Sequence, residues 1–171
     1  MDIQENFVNK VAASGLITLN LEEYYPKGER LVYDIKENLF HGLILREKDF
    51  REFIKTHDWS QYKDKNVAII CSSDAIVPTW AYMLLSNRMK PYANEVVFGS
   101  PEVLESVLFT KALSKIDTTA LANERVVIKG CGEIPVPISA YVELTNLLTP
   151  IVKSIMYGEP CSTVPVYKRK D

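Results

Sequence analysis

Three cysteines, two histidines and a few of the 22 carboxylates are the side chains of this 171-residue chain singled out by type and position for chemistry. Cys71 closes the apolar run Val67-Ala68-Ile69-Ile70, Cys131 lies between Gly130 and Gly132, and Cys161 follows the turn Gly158-Glu159-Pro160. A thiol acts as nucleophile or metal ligand in its thiolate form, which nearby N–H groups, cations or a metal stabilise. Glycines on both sides of Cys131 let the backbone turn tightly and crowd amides around the sulfur. The candidate catalytic residues are Cys131 and Cys71, with Asp74 and Glu133 as an acid–base pair. The candidate metal ligands are Cys131, Cys161, His41 and Glu159, a mixed set that suits zinc or iron. No Cys-x-x-Cys or Cys-x-His pair occurs, so a metal site has to be assembled from separate loops. Each candidate also has a plain structural alternative: core packing for Cys71, turn filling for Cys131 and Cys161, helix capping for Asp74 and Glu133. His57, at a predicted helix end, reads as a capping or packing residue.

The elements that position these residues are read from hydrophobic period. Residues 4–13 suggest a short helix closed by Ser14-Gly15, followed by strands over Leu16–Leu21 and Leu31–Ile35, with Phe40-His41-Gly42 in a loop. Phe50, Phe53 and Ile54 share one face of a helix over 49–57. Val67–Ile70, Val96–Phe98, Val126–Ile128 and Ile155–Tyr157 are near-continuous apolar runs, as strands covered on both faces require. Helices follow Pro78 and Pro137, and another spans about 102–115.

Held at an offset of 59, residues 50–101 match 109–160 at 13 of 52 positions, where unrelated sequences would match at about three. Val77-Pro78 and Ala81-Tyr82 return as Val136-Pro137 and Ala140-Tyr141, which reads as an internal duplication. Alternating strands and helices predict an α/β fold: a doubly wound, mostly parallel sheet of about five strands in one domain. Its parts are an N-terminal extension 1–45, repeat one 46–104, repeat two 105–163 and a tail 164–171. In such a sheet the loops leaving the strands gather at one edge, where ligands bind. All three cysteines then fall at that edge. Positions where the copies agree are explained by the shared fold. Cys131 aligns with Ser72 and Cys161 with Glu102, so both depart from the template.

A formal net charge of −2 gives no field for a nucleic-acid backbone, and no apolar run reaches the roughly 20 residues of a membrane span. Neither nucleic acid nor membrane is expected as a partner. The N-terminus lacks the order of a signal peptide and the cysteine count is odd, which points to reduced thiols in the cytoplasm. Lys168-Arg169-Lys170 reads as a solvated tail. The glycine-rich nucleotide, nucleophile-elbow and zincin motifs are missing from the chain.

Ala13–Leu19, Leu43–Arg51, Cys71–Tyr82 and Met156–Tyr167 together resemble the uncharacterised bacterial family named domain of unknown function 2480, found mainly in Bacteroidetes, along the whole chain. The resemblance supplies no catalytic residues; it implies an accessory role in iron–sulfur cluster or sulfur metabolism, with protein partners in cluster assembly. Ile69-Ile70-Cys71-Ser72-Ser73 also loosely resembles the active-site loop of rhodanese-type sulfurtransferases, without the glycine and arginine expected after the cysteine. Three readings stay open: a thiol- or metal-dependent accessory, a cysteine-nucleophile enzyme, and a binding or structural module with incidental thiols. Self-association is open in each.

Overall fold

In the computed structural model of the protein, which describes residues 9–11, 15–130, 132–159 and 162–170, the strands separate into two sheets. The chain correspondingly divides into two compact units, a central one of Lys27–Leu108 and a terminal one of Met1–Pro26 with Phe109–Asp171.

The central unit is a β-α-β-α-β run. Strands β3 (Arg30–Asp34), β4 (Asn66–Ile70) and β5 (Glu95–Phe98) form a parallel sheet in that order. Helix α1 (Glu47–Thr56) joins the first two and α2 (Thr79–Met89) the last two. Alternation along β4 sends Val67 and Ile69 to one face, where Phe50, Ile54, Ala81, Leu85 and Met89 bury them. Ala68 points the other way, against Leu104 and Leu108 of α3 (Pro101–Leu113). On the same side the Arg30 guanidinium grips Glu105, Nε to Oε1 at 2.6 Å and Nη2 to Oε2 at 3.1 Å.

The terminal unit repeats the plan around β2 (Leu16–Leu19), β6 (Arg125–Ile128) and β7 (Ser154–Glu159), again parallel. Two antiparallel strands flank these, β1 (Asn9–Val11) beside β2 and β8 (Ser162–Lys168) beside β7. Helix α4 (Ile138–Leu148) sets Ala140, Leu144 and Leu148 on Ile17, Leu19, Val126, Ile128 and Ile155, with Phe109 and Leu113 completing the core. Full burial of each such side chain contributes about 1.5–3 kcal/mol.

The α/β character is as expected, with two differences in layout. The parallel strands occupy two sheets where one of about five strands is predicted. The segment 164–171 carries most of strand β8, and Arg169 is anchored through its N–H on Lys153 O and its guanidinium on Asn123, Pro150 and Ile151. Residues 9–11 form a strand where a helix over 4–13 is predicted; the rest of that segment lies outside the described residues. The elements keep the offset of the sequence match. α2 and α4 are each 11 residues long and begin 59 apart, and the registers Asn66↔Glu95 and Arg125↔Ser154 are 59 apart on both strands.

Candidate functional site

The loops that leave the central strands meet around Asp34. This residue ends β3 and its Oδ1 accepts the Lys36 amide at 3.1 Å and the Ser72 amide at 3.0 Å, while Oδ2 accepts the Ser72 hydroxyl. Partial burial raises the Asp34 pKa, but the hydrogen bonds from Ser72 and Lys36 outweigh it and hold the carboxyl below its ordinary value. Cys71 is half-buried against the apolar core, and its thiol donates to Ser73 O at 3.4 Å. Ser73 in turn donates to Gly42 O, which brings the His41 loop to the same edge. His41 takes a left-handed backbone (φ 55°), its ring edge-on to Phe40 at 4.0 Å, with the Arg46 guanidinium over the Phe40 ring. Tyr82 of α2 completes the cluster. Burial, then electrostatic interaction with Cys71 and Asp34, push its hydroxyl pKa up. Asp74 stands exposed in this loop.

In the terminal unit the glycines around Cys131 have packing explanations. The Tyr157 ring occupies the space of a Gly130 side chain, 2.5 Å from where a Cβ would lie, and its hydroxyl donates to Gly130 O at 3.1 Å. A Cβ on Gly132 would lie 1.9 Å from Glu22 Oε1, the oxygen that accepts the Ile134 amide at 2.6 Å. Glu133 is exposed. Glu159 is the last residue of β7 and pairs with Ser162 across the hairpin. Cys131 and Cys161 lie outside the described residues. Among the described residues no three His, Cys, Asp or Glu side chains converge as a metal site, and His41 and Glu159 belong to different units.

A groove lies beside α2 and β5 in the central unit, and another beside α4 and β7 in the terminal unit. The central groove, 480 Å³, is lined by Ile69, Thr79, Tyr82, Met83, Ser86, Asn87, Lys90, Val96 and Phe98. The terminal groove, 260 Å³, is lined by Ile128, Tyr141, Val142, Thr145, Asn146 and Tyr157, with Val166 of β8. Ile69, Tyr82, Met83, Ser86, Asn87 and Phe98 correspond one to one with Ile128, Tyr141, Val142, Thr145, Asn146 and Tyr157 at the offset of 59. An edge-on aromatic pair spans helix and strand in both, Tyr82 with Phe98 at 5.0 Å and Tyr141 with Tyr157 at 5.8 Å. The sequence reading missed both grooves. The available signal was the identity of Asn87 and Asn146, a polar residue at matching positions of two helices whose core faces are apolar.

Among the described residues no helix is long and apolar enough to cross a membrane. Residues 5–169 match the family model described as protein of unknown function (DUF2480), and the chain belongs to that family. No curated protein and no solved structure matches it.

Proposed function

We propose that this member of the DUF2480 family is a protein-binding module built from two copies of one α/β plan, whose contacts are made in the paired grooves and whose thiols are incidental. The observation that carries the reading is the correspondence of six lining positions at one offset. Core packing accounts for the match of Leu85 with Leu144, both fully buried. It does not account for Asn87, which is exposed, or for an exposed apolar residue following the tyrosine in each copy, Met83 at 67% and Val142 at 56%. Aromatic and apolar side chains rimmed by amide and hydroxyl groups are the composition of an interface core.

The test compares two variants in a strain lacking its own copy of the gene. The variant with Cys71, Cys131 and Cys161 all changed to serine is expected to restore the wild-type phenotype. The double variant Met83→Asp, Val142→Asp is expected to fail while keeping its circular dichroism spectrum and urea midpoint. The reverse outcome would move the assignment to a thiol or metal accessory of iron–sulfur or sulfur metabolism centred on Cys131 and Cys161. Metal analysis after anaerobic purification then checks that alternative.

A further inference from the structure

The terminal unit has a strand whose counterpart is missing from the described central unit. β8 runs antiparallel along β7, with Tyr167 opposite Ile155 and Val164 opposite Tyr157, and Val166 forms part of the groove wall beside α4. β5 stands in the place of β7, and no strand among the described residues pairs with its outer edge. Gly99 donates its amide to Ile69 O at 3.0 Å. Alternate residues of a parallel ladder address the same neighbour, so Val97 and Gly99 turn their amides toward β4, and Val96 and Phe98 turn theirs outward. These two positions correspond to Ile155 and Tyr157, two of the six β7 residues that stand opposite β8.

The side chains agree with the backbone. Val96 and Phe98 both line the central groove, and Phe98 is 66% exposed. The groove has a single charged lining residue, Lys90, just past the C-terminal end of α2, where the terminal unit has Thr149. Among the described residues Lys90 makes no ion pair.

We infer that β5 receives an added antiparallel strand from a partner protein, an extended segment with apolar side chains at alternate positions and an acidic side chain near its C-terminal end. An antiparallel segment reaches the start of β5, and hence Lys90, with its C-terminal end. Main-chain bonds to Val96 and Phe98 hold it, its apolar residues cover Phe98 and Met83, and its carboxylate meets Lys90. A second copy fits less well. β5 is four residues long, so pairing with its own duplicate offers only Val96 and Phe98 on the groove face.

The inference rests on the binding-module reading and is tested separately from it. A random octapeptide display library is selected on the full chain. Enriched sequences are expected to alternate apolar residues and carry Asp or Glu near the C-terminal end. With one such peptide bound, hydrogen exchange at the Val96 and Phe98 amides slows at least about ten-fold, and Lys90→Glu weakens binding by at least about ten-fold. Failure to enrich any sequence, binding indifferent to Lys90→Glu, or protection confined to other amides would overturn it. So would a concentration-dependent dimer in sedimentation that Phe98→Asp abolishes, which would identify a second copy as the occupant. The module reading would survive any of these provided the groove double variant still failed to complement.

Discussion

His57 ends α1 inside a box of aromatic rings, 4.6 Å from Phe53, 4.7 Å from Trp59 and 5.8 Å from Tyr62, centroid to centroid. Its Nε2 lies 2.9 Å from the Gln61 side-chain amide nitrogen and 3.0 Å from the Tyr62 hydroxyl. That amide nitrogen also donates to Asp58 O at 2.7 Å, so it is a donor, and Nε2 has to be an acceptor. The ring is therefore neutral with its proton on Nδ1. Burial lowers its pKa from the ordinary value, and the Asp58 carboxylate offsets this in part. With the folded pKa below the unfolded value of about 6.5, the unfolded chain binds the proton more readily, so stability rises with pH through this region. The contribution is fully present above the unfolded pKa and declines as pH falls toward the folded one. His57→Phe keeps the ring contacts but removes the acceptor. Tyr62 is only 5% exposed, so its hydroxyl is left unpaired, and the expected cost at pH 8 is about 1–3 kcal/mol. Urea unfolding read by tryptophan fluorescence between pH 8 and pH 5 measures both effects. Wild type should lose stability over that range and His57→Phe should lose markedly less, with His41→Asn as the control for the exposed histidine. An unchanged slope in His57→Phe, or wild type gaining stability on acidification, would refute the reasoning.

Gly132→Ala should displace the Glu22 carboxylate and strip the Ile134 amide of its acceptor, costing about 1–3 kcal/mol in urea unfolding. In a Glu22→Ala background the same change should be nearly neutral, and a double-mutant cycle showing no coupling would contradict the packing account of that glycine. Leu85→Ala and Leu144→Ala, both at fully buried positions, should each cost about 2–5 kcal/mol, whereas Asn87→Ala and Asn146→Ala should stay within about 0.5 kcal/mol in the same assay. Asp34→Ala removes the acceptor for Lys36 and Ser72 and should cost about 0.5–2 kcal/mol at pH 7. Because the folded pKa of Asp34 is depressed, the gap from wild type should narrow as pH falls below about 4, where an unfolded carboxylate protonates, and a gap constant to pH 3 would count against that assignment.

The helices and the repeated strands were legible because periodicity reports which face of an element is buried, and buried faces fix where an element starts and stops. Strand neighbours were not legible, because pairing is decided by contacts remote in sequence. Leu16 pairs with Arg125 across the whole central unit, and nothing local to Leu16 records that partner. β8 was hidden for a different reason. Pro165 reads as a strand breaker, yet it sits in an edge strand beside a register shift opposite Ile155 and Met156, where no ladder N–H is required of it. The candidate site was argued from the sequence match alone. Agreement between two copies was attributed to the fold and divergence to function, which directed attention to Cys131 and Cys161. That inference holds for Leu85 and Leu144, whose burial any copy of the fold demands. It leaves Asn87 and Asn146 without a packing account, because an exposed amide contributes little to a core. Where two stretches of a chain match at one offset, burial separates the two cases: packing explains agreement at a buried position, and agreement at an exposed one is what the binding-module proposal accounts for.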